Sequence, residues 1–193
     1  IPMANWNRSM WFDETELFWR NPKPSLTNEI NLLAYVGMDL FRGTNMNLGF
    51  GTNNQYLMIG APWLETSFLI KKLDDLNLNG VSFEDLKYRP NGSIYHDRIP
   101  KYDGQSCSGI KIKIDDRNNF EPIQTATSII ALIHRLHPKH FQWQKENYID
   151  KLFGSNELRV HSAQRKPLDH LPGIWQKDVY RFSEFRKPYL IYR

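Results

Sequence analysis

The residues best suited to chemistry lie in one stretch, FRGTNMNLGFGTNN, at positions 41–54. It holds three glycines, two threonines and four asparagines in fourteen residues. Asn and Thr side chains both donate and accept hydrogen bonds, and glycine lets backbone approach a ligand closely. A loop of this chemistry lines a polar binding site or serves as a turn-rich connector, and composition leaves both readings open.

Other constellations carry less. His134, His137 and His140 are spaced by three, as metal ligands can be, but Pro138 breaks the helix between them and swings the third off the face of the others. Histidines also suit a helix C-terminus. No metal site is expected. The pairs Asp13/Glu14, Asp74/Asp75 and Asp115/Asp116 lack the spacing that would set two carboxylates across a sugar, and they read as solvated charge. Gly49-Phe50-Gly51 lacks the third glycine of a phosphate loop, and no Gly-x-Ser-x-Gly occurs. Cys107, the single cysteine, sits among turn residues without a neighbouring histidine, so it is not a candidate nucleophile. Trp6, Trp11 and Trp19 suit a core, or a surface on which sugar rings stack.

These residues must be positioned by one good-sized domain. The chain has 193 residues, 40% apolar and 24% charged, enough for a real core. No segment approaches the roughly 20 apolar residues of a membrane span. Net charge is +4, and the basic residues near the end, from Arg159 to Arg193, alternate with acids. That pattern describes a solvated face rather than a nucleic-acid site. The chain opens directly on apolar and aromatic residues without an initiator Met, so residue 1 reads as a cut and the chain as part of a larger protein.

Thr27 or Asn28 caps a short helix, EINLLAY, that Gly37 ends. MDLF at 38–41 fits a short strand, and QYLMIG a buried strand ending at Gly60. Residues 65–78 read as a helix with Leu69, Leu73 and Leu76 on one face and Gly80 at its C-terminal cap. GVSFEDLKY is a strand. In GIKIKIDD, Ile110, Ile112 and Ile114 alternate with Lys111 and Lys113, as in a half-buried strand. Pro122 opens the clearest helix, with Ala126, Ile129, Ile130, Ile133 and Leu136 as its stripe. Helices follow at 147–160 and at 172–187, the last with Trp175, Val179, Phe182 and Phe185 on one face. The expected fold is a single α/β (α+β) domain: a mixed sheet of about four or five strands packed by helices, with a helical C-terminal third.

In chain order, PMANWNRSMWFDET, YVG, GTN at 43–45, GT at 51–52, IGAPWL, KYDG followed by Cys107, DDR and FRKPYLIY resemble the C-terminal domain of the bacterial exo-β-N-acetylmuramidases. The resemblance spans essentially the whole chain. It implies a two-domain enzyme that removes N-acetylmuramic acid from peptidoglycan fragments, with a Rossmann-like N-terminal domain taken to carry the catalytic glutamate. Residues 1–193 would be the C-terminal, cleft-forming domain, inactive alone. Its partners would be that N-terminal domain and a muropeptide or amino-sugar ligand, with no cofactor, in a periplasmic or secreted setting.

The departures concentrate on the loop. The family's Glu-Gly-Thr-Asn is Arg42-Gly43-Thr44-Asn45 here, and its Gly-Arg-Gly-Thr is Gly49-Phe50-Gly51-Thr52. A following Arg is Asn54, an Asn is Ser25, and a Glu before the cysteine is Gln105. An acid or base role at position 42 is thereby lost. The substrate-binding residues carried over are Arg8, Arg42, Thr44, Asn45, Thr52 and Gln105. Arg42 or Arg8 is the expected partner of a lactyl carboxylate. A second expectation is a non-catalytic glycan-binding or interaction domain derived from the same family.

Overall fold

A computed structural model describes residues 2–94 and 99–192. The cut read at residue 1 and the terminal Arg193 lie outside these. After a 3-10 turn at Phe12–Thr15, Asn28 caps α1 (Glu29–Met38), its Oδ1 accepting from the Asn31 amide at 2.9 Å. The helix does not stop at Gly37. It runs through Met38 into a 3-10 turn, Asp39–Gly43, where a strand was expected. Gly37 serves packing instead of capping: a Cβ there would lie 2.0 Å from the Pro122 carbonyl oxygen. Its missing side chain lets α1 cross the start of α3 (Pro122–Leu136).

Among the described residues the sheet has three strands, β1 (Met58–Ala61), β2 (Val81–Tyr88) and β3 (Cys107–Ile114), in the order β1-β3-β2. Both pairings are antiparallel, Met58 opposite Lys111 and Val81 opposite Ile114. The sheet is thus smaller than expected and antiparallel rather than mixed. The missing strand is the Met38–Phe41 run, which the helix absorbed. Between β1 and β2 lies α2 (Ser67–Asp74), burying Leu69 and Leu73. Gly80 does not cap it. With φ +65°, Gly80 opens β2, and its carbonyl accepts from the Asp115 amide at 2.9 Å.

One core joins sheet and helices. Ile110 and Ile112 are buried, while Lys111 and Lys113 face water. On α3 every residue from 125 to 133 is buried, so this helix is covered all round. Each of its buried isoleucines contributes about 2 kcal/mol of apolar burial. Two short helices, α4 (Tyr148–Phe153) and α5 (Glu157–Ala163), pack on each other, and α5 also packs on α3. The chain ends with α6 (Gln176–Arg186), which has no buried residue and packs chiefly on its flanking turns, Pro172–Ile174 and Lys187–Tyr189.

Candidate functional site

The loop 41–54 is a built structure. Its hub is Asn47, which is 1% exposed. The Asn47 Oδ1 accepts from the Gly49 amide at 2.7 Å and the Tyr88 hydroxyl at 3.1 Å. The Nδ2 donates to the carbonyls of Phe50 at 3.2 Å and Lys101 at 2.8 Å. Its backbone pairs with Gly60, which fastens the loop to β1. Asn47 therefore satisfies its whole amide and ties three separate chain segments together. Gly49 and Gly51 have φ of +72° and +83° with no room for a side chain, as the tight reversal requires.

The other rim is the 140–144 segment. The Asn45 Nδ2 donates to the His140 carbonyl at 2.8 Å, and its Oδ1 accepts from the Gln142 amide at 3.0 Å. Thr44 bridges to Trp143, and the Gln144 amide donates to the Gly43 carbonyl at 2.8 Å. Gly43 lets the turn lie directly on α4: a Cβ would meet Ile149 Cα at 2.7 Å. This contact brings Arg42 over the Tyr148 ring, 5.8 Å from its centroid.

Two neighbouring hollows open beside the loop. The larger, about 440 Å³, is lined by Arg42, Phe50, Lys101, Lys145 and Tyr148 among others, a size typical of small-ligand sites. The smaller, about 280 Å³, is lined by Lys23, Ser25, Gln55 and Tyr56 among others. Arg42, Phe50 and Pro100 line both. No carboxylate side chain lines either hollow among the described residues.

The larger hollow is electropositive. The Arg42 Nη1 donates to Asp39 Oδ2 at 3.2 Å. The Lys101 ammonium donates to the Thr44 carbonyl, which also accepts from Gln144 Nε2 at 3.1 Å. Burial of the Lys101 ammonium, with Arg42 nearby, pushes its pKa down to about 8. Tyr56, against the smaller hollow, is pushed up to about 12, by burial and then by Asp39.

The sequence-derived site residues separate on this geometry. Arg42 lines both hollows. Thr44 is wholly buried, its hydroxyl donating to the Phe41 carbonyl and accepting from the Met46 amide. Asn45 is committed to the 140–142 segment, as described. The Thr52 hydroxyl donates to the Gly49 carbonyl at 2.7 Å and accepts from the Asn54 amide at 3.1 Å. Gln105 is exposed, its amide bonded to the Tyr102 carbonyl, and lines neither hollow. Arg8 lies beside the chain end, its Nε donating to the Tyr192 carbonyl at 3.4 Å. Of the altered loop positions, Ser25, Arg42 and Phe50 line the hollows, whereas Asn54 does not.

Sequence reasoning did not single out Lys101, Asn47, Gln144 or Tyr148. Nothing beside Lys101 signals burial, because its partner Thr44 is 57 residues away. The histidines enter aromatic packing: His137 and His140 lie against Trp63, and His134 lies against Phe141 and Trp143. Cys107 is buried, and its thiol is pushed up to about 11 by that burial. Trp6, Trp11 and Trp19 line neither hollow. The Trp11 Nε1 donates to Asn118 Oδ1 and the Trp19 Nε1 to the Leu26 carbonyl.

Comparison with known proteins gives this geometry a context. Residues 33–192 match the family described as exo-beta-N-acetylmuramidase NamZ, C-terminal. The whole chain is similar to the peptidoglycan beta-N-acetylmuramidase NamZ of Bacillus subtilis, 32% identical over 192 residues. The chain spans 45% of that protein's length. Its fold matches a DUF1343 family protein of Bacteroides fragilis at a TM-score of 0.85, with 24% identity over 97% of this chain and 49% of that one. A second such protein of B. fragilis matches at 0.63, with 23% identity over 90% of this chain and 44% of the other.

Proposed function

We propose a function from the premise that this chain belongs to the family of exo-β-N-acetylmuramidase NamZ C-terminal domains. In our reading it is the cleft-forming domain of a two-domain, peptidoglycan-directed glycoside hydrolase. The loop 41–54 and its hollows form one wall of a cleft for sugars containing N-acetylmuramic acid. The observation that carries this is the larger hollow, where an apolar wall of Leu48, Phe50 and Pro100 faces the cations Arg42 and Lys101. That combination suits a sugar ring bearing an acid. The bond-breaking carboxylates belong to a preceding catalytic domain, consistent with a larger relative and with hollows whose described lining is free of carboxylates. Peptidoglycan lies outside the cytoplasmic membrane, so we place the protein in the periplasm or outside the cell.

The contact with that preceding domain falls, in this reading, on α6. Val179, Phe182, Phe185 and Tyr189 are 59–71% exposed on one stretch of helix and its following turn. The segment around Trp6, through which a preceding domain would connect, packs edge-to-face on Tyr192 with ring centroids 4.8 Å apart.

The test is an assay of the two-domain protein on a chromogenic β-N-acetylmuramide, beside the protein lacking residues 1–193 and this chain alone. Release is expected from the two-domain protein only. Release by this chain alone, or undiminished release without it, overturns the reading. The second reading, a glycan-binding domain without a catalytic partner, draws on the positive charge of Arg42 beside Phe50. It predicts sugar binding by this chain on its own, without turnover.

A further inference from the structure

We propose that the segment 2–25 is a fixed strap whose apolar tip, Leu17 and Phe18, seats the preceding domain beside the smaller hollow. This rests on the two-domain reading above and adds to it a contact that α6 does not supply. Leu17 is 66% exposed and Phe18 93%. On a loose tail such exposure would carry no meaning, but here the chain is tied down on both sides of the tip. Before it, Arg117 and Asn118, between β3 and α3, grip the turn Phe12–Thr15. The Arg117 Nη1 donates to Asp13 Oδ2 at 2.8 Å, and its guanidinium lies over the Trp11 ring, 4.9 Å from the centroid. The Trp11 Nε1 donates to Asn118 Oδ1 at 2.8 Å. At the root of the strap, the Tyr192 hydroxyl accepts from the Met3 amide and the Tyr192 carbonyl from Arg8. Beyond the tip, the Trp19 Nε1 donates to the carbonyl of Leu26, a core residue, and the Lys23 Nζ donates to the Tyr35 hydroxyl at 3.1 Å. Phe12 packs edge-to-face on Trp19, with centroids 5.3 Å apart, which pins the two ends of the loop together. Within it Glu16 has φ +60°, an uncommon conformation for a residue with a side chain, held by its surroundings.

The occupant is the preceding domain. This chain spans 45% of its B. subtilis relative, so the remainder of such a protein is large enough for a domain of its own. In the proposed protein that remainder enters at the root of the strap. Tyr192, which holds the root, lies on the chain end that leaves α6, so the strap and the α6 face both lead from one junction. A single body placed at that junction meets both. Past its tip the strap runs on to Lys23, Pro24 and Ser25 in the wall of the smaller hollow. A domain seated on Phe18 therefore stands beside that hollow, where the cleft of the two-domain reading has to form. A second copy of the chain would not be directed to the tip by the chain's own connectivity.

The experiment places the photoreactive residue p-benzoylphenylalanine at position 18 of the two-domain protein and irradiates it. The expected product is an internal cross-link to a peptide that precedes residue 1, in a yield unchanged on dilution. In parallel, Phe18→Asp should speed proteolytic cleavage between the domains by about tenfold or more, as loss of a central aromatic contact implies. Phe18→Leu, which keeps an apolar side chain, should stay near wild type. Phe18 is exposed in this chain, so neither change burdens the folding of residues 1–193. A cross-link between two molecules that is lost on dilution assigns the tip to a second copy and overturns the proposal. A cross-link confined to residues 1–193, no cross-link at all, or cleavage unchanged in Phe18→Asp also overturns it. Hydrolysis of the chromogenic β-N-acetylmuramide by the wild-type two-domain protein is scored separately. Hydrolysis without the cross-link removes this contact and leaves the proposed function standing. The cross-link without hydrolysis keeps the contact and sinks the proposed function.

Discussion

Lys101 and Asn47 do most to shape the hollow, and each makes a separate prediction. Lys101 has its pKa lowered to about 8 by burial, then by Arg42, so the unfolded chain binds its proton more tightly than the folded one. Below about pH 8 the ammonium is charged in both states, and the full penalty of burying it weighs on the fold. Between about pH 8 and the ordinary lysine value of 10.5 the folded protein sheds this proton first, and stability attributable to the site rises. The penalty is roughly 2–3 kcal/mol at neutral pH. Lys101→Met removes it, and Gln144 still serves the Thr44 carbonyl. The variant should therefore unfold several degrees higher than wild type at pH 7, with the gap narrowing steadily from about pH 8 toward pH 10. Thermal melts of both proteins across pH 7–10 test this. Groups common to both, such as the Cys107 thiol, cancel in the difference. A variant less stable at every pH refutes it. Asn47→Ala removes four buried hydrogen bonds at about 1 kcal/mol each. It should lower unfolding stability by about 2–4 kcal/mol in urea and loosen Lys101, whose carbonyl it releases. A loss below about 1 kcal/mol would mean that the loop has other supports.

At the scale of elements, Gly37 separates a helix-propensity effect from a packing effect. Replacing a helical glycine with alanine stabilises a helix by about 1 kcal/mol. At Gly37 the new methyl would sit 2.0 Å from a backbone oxygen of Pro122, and forcing α1 off α3 costs about 1–3 kcal/mol or more. Packing should win. Gly37→Ala should lower the urea midpoint at constant m-value, whereas a raised midpoint would show that the helices can shift apart. The same residue explains what was legible in the sequence. The alternation of Ile110, Ile112 and Ile114 and the stripe of Pro122–Leu136 are local patterns, and both elements stand where their periods put them. Gly37 looked like a helix stop because local chemistry allows that reading. Its use, contact with a residue 85 positions on, has no local signature. Once the helix ran on, Met38–Phe41 had no strand to form. The sheet's antiparallel order has the same cause: β3 inserts between β1 and β2, a pairing that no helix-strand alternation predicts. The site divides in the same way. Arg42 was readable as an altered position, but the cation that faces it comes from a segment distant in sequence.

Seen as a whole, the molecule leaves the α6 surface unexplained by its own core. An eleven-residue helix with no buried side chain is marginal in water, yet α6 carries Val179, Phe182 and Phe185, with Tyr189 just beyond. The rings of Phe185 and Tyr189 sit 5.5 Å apart and shield each other only partly. Fully covering such side chains contributes about 1.5–3 kcal/mol apiece, so a partner seated there would gain several kcal/mol. In the proposed two-domain protein that partner is the preceding domain. Substitution should then have context-dependent effects. In residues 1–193 alone, Phe182→Asp and Phe185→Asp alter exposed positions and should shift stability by no more than about 0.5 kcal/mol. In the two-domain protein each should cost about 2 kcal/mol or more and speed limited proteolysis between the domains. Amide exchange along Gln176–Arg186 should be slower in the two-domain protein than in this chain. Equal exchange in both, with the two substitutions silent in both, would place the interface elsewhere and leave the α6 face without a role in joining the domains.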